Sequence, residues 1–209
     1  MTAGVVLTGG VSRRMGRDKA LVEVDGVAMA ARVAAALVDA GCNPVWCQGG
    51  DAMALAATGL AVHADSAPGQ GPVPAILDAL AALPSGASGL VVAACDLPDL
   101  TADAVRLLLT DAHHVSIHRW GGCAAGAALD DRWGGAHDDR NRRAPVALAV
   151  AGAPQLVSCW PAAVRGELAR LVAEGARSYR QVLAALDARL IETPPAIVRN
   201  VNAPGDLQP

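Results

Sequence analysis

A short segment near the amino terminus combines glycines with closely spaced cations, directly after the apolar run that ends at Leu7. The segment reads Leu7-Thr8-Gly9-Gly10-Val11-Ser12-Arg13-Arg14-Met15-Gly16-Arg17-Asp18-Lys19. Glycine lets a backbone approach a polyphosphate closely and turn its N–H groups towards it. The arginines and Lys19 add the positive charge that a triphosphate requires. The segment therefore predicts a loop that binds a nucleoside triphosphate, with a glycine-rich turn carrying solvated arginines as the alternative.

The loop matches neither of two widespread phosphate-binding motifs. It lacks the G-x-x-x-x-G-K-[S/T] pattern of the P-loop and the G-x-G-x-x-G pattern of dinucleotide-binding folds. The sequence therefore disfavours a P-loop NTPase, and it disfavours a nicotinamide-dependent dehydrogenase for the same reason.

A carboxylate stands at the end of a second apolar run. Asp96 follows the strand-like stretch Leu90–Cys95 and precedes Leu97-Pro98. Mg²⁺ prefers one or two carboxylates together with phosphate oxygens, so a carboxylate at this point is a candidate ligand. An acidic turn that leads into a helix is the alternative. From the residues alone, both interpretations of Asp96 remain open.

The two segments together resemble a known family. L-T-G-G-V-S-R-R-M-G-R-D-K-A-L is similar to the signature of the molybdenum cofactor guanylyltransferases, which are nucleotidyltransferases with a glycosyltransferase-A-like fold, and A-C-D-L-P is similar to their metal-binding segment. The resemblance implies that the loop backbone and Lys19 bind a guanine nucleotide. The residues that it implicates in the loop are Leu7, Thr8, Gly9 and Lys19. We expect Gly10, the next glycine of the loop, to bind the nucleotide as well. Thr8 stands where the family usually has alanine.

The resemblance extends to two loops further along the chain. Asp65 corresponds to an acidic residue of the family that is followed by G-P-L-x-G, here Gly71-Pro72-Val73-Pro74-Ala75. It implies that Asp65 and Gly71 contact the nucleotide, while Ala75 replaces the second glycine. Gln48 stands near a family asparagine that contacts nucleotide. Asp99 stands where the family often has an aromatic residue, and we expect it to be structural.

The carboxyl-terminal segment N-V-N-A-P-G-D-L resembles the N-x-N-T-P-E-[D/E]-L close of the family. Asparagine amides offer both donors and acceptors to a pterin or a phosphate, whereas an Asx-type turn is the structural alternative. The related cytidylyltransferases tend to have aspartates at the two asparagine positions and a proline at the position of Asp18. Asn200, Asn202 and Asp18 therefore favour guanine as the base.

The resemblance implies transfer of GMP from GTP to the terminal phosphate of molybdenum-loaded molybdopterin, with release of pyrophosphate. A phosphate nucleophile is already ionised near neutral pH, so the reaction requires positioning and charge neutralisation and no general base. Lys19 and Arg13 would stabilise charge on the leaving pyrophosphate, and Mg²⁺ on Asp96 would bridge phosphates. Expected partners are GTP, the molybdopterin acceptor and proteins of molybdoenzyme maturation.

Two alternatives of function remain open from the sequence. The first is a cytidylyltransferase for the same cofactor, or a nucleotidyltransferase for another phosphorylated acceptor. The second is a non-catalytic nucleotide-binding protein, which the altered Pro74-Ala75 segment makes conceivable. His118–Arg143 matches nothing in the family, and its irregularly spaced His, Cys and Asp side chains argue against a metal site.

The pattern of apolar runs and alanine-rich stretches predicts an α/β fold. Hydrophobic residues make up 53% of the 209 residues, aromatic residues only 2%, and phenylalanine is absent. Small aliphatic side chains suit a three-layer sandwich, in which a mostly parallel sheet has helices on both faces. The resemblance specifies a nucleotide-diphospho-sugar transferase-like fold. Strands are predicted at Gly4–Leu7, Val45–Gln48, Leu60–His63, Leu90–Cys95, Val146–Val150, Gln155–Trp160 and Arg189–Thr193. Helices are predicted at Met29–Ala40, Pro72–Leu83, Ala102–Ala112, Ala162–Ala173 and from a Ser178 cap to Leu186.

Composition also limits where the chain works and what it binds. We expect one domain over residues 1–209, with His118–Arg143 as a long loop or insertion. A net charge of −3 without a basic stripe argues against nucleic-acid binding, and no apolar stretch reaches the roughly 18 residues of a membrane span. The five cysteines form no C-x-x-C pair, and no signal peptide is evident. We therefore expect reduced thiols in a cytoplasmic protein.

Overall fold

The computed structural model describes residues 1–9, 18–113, 144–201 and 204–207. Its strands are β1 Thr2–Leu7, β2 Glu23–Val24, β3 Val27–Ala28, β4 Val45–Gln48, β5 Ala61–His63, β6 Gly89–Ala94, β7 Val146–Val150, β8 Ala153–Pro161 and β9 Arg189–Glu192. Its α-helices are α1 Met29–Asp39, α2 Ala52–Leu55, α3 Pro72–Ala81, α4 Ala102–His113, α5 Arg165–Ala173 and α6 Tyr179–Ala185. Gly10, Arg13, Asn202 and the segment 118–143 lie outside the described residues.

Seven strands of the described chain form one sheet, in the order β5-β4-β1-β6-β8-β7-β9. Within this sheet the described pairs β4–β5, β1–β4, β1–β6 and β7–β9 are parallel, and the two pairs that involve β8 are antiparallel. The short strands β2 and β3 form a separate antiparallel pair. The prediction of a mostly parallel sheet is confirmed. The strands predicted at Val146–Val150 and Gln155–Trp160 form a hairpin, because β7 and β8 pair antiparallel with Ala151 and Gly152 at positive φ between them.

Helices cover both faces of the sheet, as the prediction of three layers requires. Alternate strand residues enter different apolar clusters: Val6 and Val91 pack on one face, whereas Val5 and Val92 pack on the other. The first cluster contains buried residues of α1 and α4, and the second contains buried residues of α3, α5 and α6. Period-2 alternation along each strand therefore divides a core of small aliphatic side chains between two layers of helices.

Most helix boundaries follow local signals in the sequence. Ser178 caps α6 by accepting a hydrogen bond from the Gln181 amide, and Thr101 accepts one from the Ala104 amide at the start of α4. The helix predicted over Ala162–Ala173 begins instead as a 3₁₀ turn at Ala162–Val164, and α5 follows it. The short helix α2, capped by Asp51, was missed because four residues carry too little periodicity.

The hydropathy of the described helices supplies one further finding. None of them is both long enough and apolar enough to cross a membrane.

Of the cysteines in the described part of the chain, all four are free thiols in buried positions, namely Cys42, Cys47, Cys95 and Cys159.

Candidate active site

A cavity of about 680 Å³ opens at the carboxyl-terminal edge of the parallel strands. The strand ends meet there in register, with Leu7 of β1 beside Gln48 of β4 and beside Ala94 of β6. Chain segments that leave adjacent parallel strands at one edge form a natural ligand crevice. The cavity is lined by Leu7, Thr8, Gly9, Asp18, Lys19, Gln48, Asp65, Gly69, Gly71, Pro72, Ala75, Ala94, Cys95, Asp96, Leu156 and Asn200.

Lys19 and Asp96 face each other in this cavity. The Nζ atom of Lys19 lies 3.4 Å from Oδ2 of Asp96, and the two side chains are 21% and 23% exposed. Lys19 begins a 3₁₀ turn that Asp18 caps, because the Asp18 carboxylate accepts a hydrogen bond from the Ala20 amide at 3.0 Å. The turn thus places Lys19 opposite the carboxylate that follows β6. A cation and a carboxylate stand together where ligand phosphates could reach both.

The carboxylates in the cavity suit a hard divalent cation. Asp96 and Asp18 both line it, and Mg²⁺ takes one or two carboxylates and completes its shell with phosphate oxygens and water. Within the described ranges there is no cluster of three or more His, Cys, Asp or Glu side chains that could enclose a metal. The donor set therefore fits a magnesium ion that arrives with a polyphosphate better than a closed structural metal site.

Cys95, next to Asp96, also lines the cavity. Burial raises the pKa of its thiol far above the ordinary value, and the negative charge of Asp96 raises this pKa further. A thiol that stays protonated is a poor nucleophile and a poor metal ligand. Cys95 is therefore part of the cavity wall and not of its chemistry.

Thr8 ties the loop after β1 to the turn after β4. Its hydroxyl donates to the carbonyl oxygen of Gly49 at 2.6 Å, and its backbone amide donates to the carbonyl oxygen of Gln48 at 3.0 Å. Thr8 itself is only 3% exposed. The hydroxyl that distinguishes Thr8 from alanine therefore holds two walls of the cavity together.

The Asp65 carboxylate lies against the backbone of two glycines. A Cβ atom at Gly9 would stand 2.4 Å from Oδ2 of Asp65, and a Cβ atom at Gly49 would stand 2.3 Å from the same oxygen. The other oxygen, Oδ1, is buried and has no hydrogen-bond partner among the described residues. Burial raises the pKa of Asp65, which the Gln48 amide opposes and the charge of Asp78 reinforces. A carboxylate that is held partly desolvated at a cavity wall is typical of a ligand-binding position.

Gln48 holds the chain segment that precedes this carboxylate. Its amide nitrogen donates to the carbonyl oxygen of Ala64 at 2.9 Å, and its amide oxygen accepts a hydrogen bond from the Trp46 indole at 3.4 Å. The side chain is engaged within the protein, and Gln48 is 1% exposed. The structure thus places Gln48 at the cavity, where its side chain orients the chain around Asp65.

The loop between Asp65 and α3 is held at both ends. Near its start, Ser66 donates its amide and its hydroxyl to the Asp78 carboxylate at 2.7 and 2.8 Å. At its end, Gly71 caps α3 with a φ of 86°, a conformation that favours glycine. Ala75, which replaces the second family glycine, is buried within α3 and lines the cavity.

The carboxyl-terminal segment closes the cavity beside Asp96. The Val201 amide donates to the carbonyl oxygen of Asp96 at 2.9 Å, and Asn200, one residue earlier, lines the cavity. Asp99, which was expected to be structural, accepts a hydrogen bond from Nε of Arg199 at 2.7 Å. Segments that are about a hundred positions apart in the chain therefore meet at this side of the site.

The described residues that the sequence singled out as a site come together in this one cavity. They are Leu7, Thr8, Gly9, Lys19, Gln48, Asp65, Gly71, Asp96 and Asn200. The predictions for Gly10, Arg13 and Asn202 concern residues outside the described ranges. Leu156 of β8 was missed, because only the antiparallel pairing of β8 with β6 brings it to the cavity.

Comparison with known proteins identifies the family to which the chain belongs. A family model described as MobA-like NTP transferase domain matches residues 4–190. A protein of Mycobacterium avium (strain 104) named "Probable molybdenum cofactor guanylyltransferase" is 32% identical over 209 residues, which covers 99% of this chain and 93% of that protein.

Solved structures share the fold at lower sequence identity. The molybdopterin-guanine dinucleotide biosynthesis protein A of Archaeoglobus fulgidus superimposes with a TM-score of 0.68 at 20% identity, covering 99% of this chain and 95% of that one. A CMP:2-keto-3-deoxy-manno-octonic acid synthetase solved with CTP gives a TM-score of 0.68 at 14% identity, with coverage of 99% and 95%. These likenesses confirm the predicted nucleotide-diphospho-sugar transferase-like fold. The shared fold does not distinguish a guanine from a cytosine nucleotide as the substrate.

Proposed function

We propose that this chain, which belongs to the MobA-like NTP transferase domain family, is a molybdenum cofactor guanylyltransferase. It transfers GMP from GTP to the terminal phosphate of molybdenum-loaded molybdopterin and releases pyrophosphate. The observation that carries the proposal is the meeting of Lys19 and Asp96 in one cavity with the first residues of the glycine-rich loop. We further propose that the reaction takes place in the cytoplasm, since the acceptor and GTP are soluble metabolites.

Charge neutralisation is the main task of the side chains in this site. Mg²⁺, held by Asp96 with Asp18 nearby, would supply positive charge to the phosphates when bound. Lys19, whose Nζ atom lies 3.4 Å from Asp96, would stabilise the charge that develops on pyrophosphate. Gly9 lines the cavity without a side chain, which leaves room for a ligand to approach the backbone. We assign Arg13, a cation of the same loop, to the charge on the leaving pyrophosphate.

The nucleophile does not depend on a protein base. The second pKa of a phosphomonoester lies near 6, so the acceptor phosphate is mostly a dianion at neutral pH. No histidine is among the described residues that line the cavity. A site that orients two substrates and neutralises charge, without a base, is what attack of a phosphate on the α-phosphorus of GTP requires.

The decisive experiment combines purified protein, Mg²⁺, molybdenum-loaded molybdopterin and either GTP or CTP. We expect the guanine dinucleotide product and stoichiometric pyrophosphate, with GTP preferred in direct competition. A clear preference for CTP would identify a cytidylyltransferase and contradict guanine as the base, which Asp18 and Asn200 favour by their resemblance to the guanylyltransferases. Tight GTP binding without pyrophosphate release would identify a non-catalytic nucleotide-binding protein.

Substitution of the facing charges tests the assigned roles. We expect Asp96→Ala and Lys19→Ala each to lower turnover by at least about a hundredfold, the usual effect of losing a group that stabilises developing charge. Arg170→Gln is the control, because it breaks exposed pairs with Glu167 and Glu174 and should leave turnover within about twofold. Near-normal pyrophosphate release in both Asp96→Ala and Lys19→Ala would refute the roles.

A further inference from the structure

An ion pair connects the loop that carries Asp96 to the carboxyl-terminal segment. Nε of Arg199 lies 2.7 Å from Oδ2 of Asp99, with the side chains 42% and 30% exposed. The same guanidinium donates through another nitrogen to the carbonyl oxygen of Asp206 at 2.6 Å. Asp99 raises the pKa of Arg199 further above its ordinary value, so the guanidinium stays protonated. One side chain thus joins three parts of the chain.

The pair completes a frame around Asn200. Val198 and Val201 are 4% and 0% exposed and enter separate apolar clusters, so the backbone is anchored on both sides of Asn200. The Val201 amide also bonds to the carbonyl oxygen of Asp96 at 2.9 Å. Asn200, between Arg199 and Val201, is itself exposed at the cavity. The position of its side chain relative to Asp96 therefore depends on how Arg199 and Val201 are held.

The Asp96 loop has an independent attachment to the fold. Nε of Arg32 on α1 donates to the carbonyl oxygen of Pro98 at 3.1 Å. Leu97 and Leu100 are buried in the apolar cluster that also contains residues of α1 and α4. The Leu100 amide donates a hydrogen bond to the carbonyl oxygen of Leu97. Loss of the Asp99–Arg199 pair should therefore leave Asp96 in place and release chiefly the carboxyl-terminal segment.

The sheet order indicates which substrate this segment meets. β5 and β4 lie on one side of β1, and β6 and β8 lie on the other side. Asp65 follows β5, whereas Asp96 follows β6 and Leu156 belongs to β8. With the triphosphate on the loop after β1, as proposed, and with Asp65 as the nucleotide contact that the resemblance implies, the nucleoside would lie on the β5 side of the site. The acceptor then approaches from the side of Asp96, where Asn200 stands.

We propose that Asp99 and Arg199 are positioning residues that hold Asn200 for the phosphorylated acceptor. This inference rests on the proposed function for its substrate, while the structural connection stands on the contacts themselves. Neither residue needs to touch the substrate. Their role is to reduce the freedom of the segment that follows Val198, so that Asn200 meets the acceptor without first becoming ordered.

The test compares Arg199→Gln and Asp99→Asn with Arg170→Gln, which breaks a similarly exposed pair away from the cavity. We expect the acceptor KM to rise about 3- to 20-fold in both variants, the range typical of residues that act on a site through others. The GTP KM and kcat should stay within about twofold. In an Asn200→Ala background, Arg199→Gln should add no further rise, because both changes remove the same interaction. The exchanged pair Asp99→Arg with Arg199→Asp should restore the acceptor KM to within about threefold of the original.

Hydrogen exchange of the full chain without substrates separates the two proposals. The amide of Val201 should exchange faster in Arg199→Gln and Asp99→Asn than in the original chain or in Arg170→Gln. Unchanged exchange, or equal effects on the KM for GTP and for acceptor, would overturn the positioning role. If the original chain makes no dinucleotide from any nucleotide, the proposed function fails and the acceptor role fails with it, while exchange still decides whether the pair holds the segment.

Discussion

Replacing Gly49 with alanine tests whether a side chain in the turn after β4 displaces the Asp65 carboxylate and weakens GTP binding. Gly49 has a φ of 77°, and a Cβ atom there would lie 2.3 Å from Oδ2 and 2.8 Å from Cγ of Asp65. Ordinary contacts between such atoms are more than about 3 Å, so the carboxylate must move by roughly 1 Å. Gly59 is a matched control, because its φ is 73° and a Cβ atom there would meet nothing within 4 Å.

The expected effects differ between the two variants. Both should lose about 1–2 kcal/mol of unfolding free energy, because alanine is strained in the left-handed region. Gly49→Ala should lose roughly 1–3 kcal/mol more through overpacking. Displacement by about 1 Å of a group that positions a substrate can cost up to about a hundredfold. We therefore expect GTP affinity to fall about 10- to 100-fold in Gly49→Ala and to stay within about twofold in Gly59→Ala.

Urea unfolding and GTP titration by calorimetry measure the two quantities. In an Asp65→Ala background the extra destabilisation by Gly49→Ala should disappear, leaving only the backbone strain that it shares with Gly59→Ala. Equal GTP affinity in Gly49→Ala and Gly59→Ala would show that the reasoning about Asp65 is wrong. So would an extra loss of stability that survives the removal of the carboxylate.

Two further predictions concern the same wall of the cavity. Because burial raises the pKa of Asp65, the folded chain holds this proton more tightly than the unfolded chain, so stability falls as the pH rises from 3.8 through the raised value. Asp65→Asn should remove that part of the pH dependence in urea unfolding and weaken GTP binding, and an unchanged profile would contradict the burial of the charge. Thr8→Val should lose about 1–2 kcal/mol of unfolding free energy, because the carbonyl oxygen of Gly49 loses its donor at 2.6 Å, whereas Thr8→Ser should keep most of it. Equal loss in the two Thr8 variants would show that the methyl group contributes as much stability as the hydroxyl, contrary to this expectation.

Much of the fold was predictable from the sequence, because its signals are local. Continuous apolar runs such as Leu90–Cys95 indicate strands that are buried on both faces. Capping by Ser178 and Thr101 follows from side chains that accept hydrogen bonds from the next turn. The boundary at Ala162 was less predictable, since 3₁₀ and α-helical turns have nearly the same local preferences.

The sequence by itself determined the residue types of the site and their strand-end positions. A glycine-rich segment after one strand and Asp96 after another imply a shared edge wherever parallel strands pair. Only the tertiary structure decided that Asp65 lies against Gly9 and Gly49. The same holds for the hydrogen bond from Gln48 to the carbonyl oxygen of Ala64, and for Leu156 in the cavity wall. The Asp99–Arg199 ion pair was likewise decided only by the tertiary structure. Contacts between segments tens of residues apart depend on strand order and on the packing of the whole core, and no local pattern of residues encodes them.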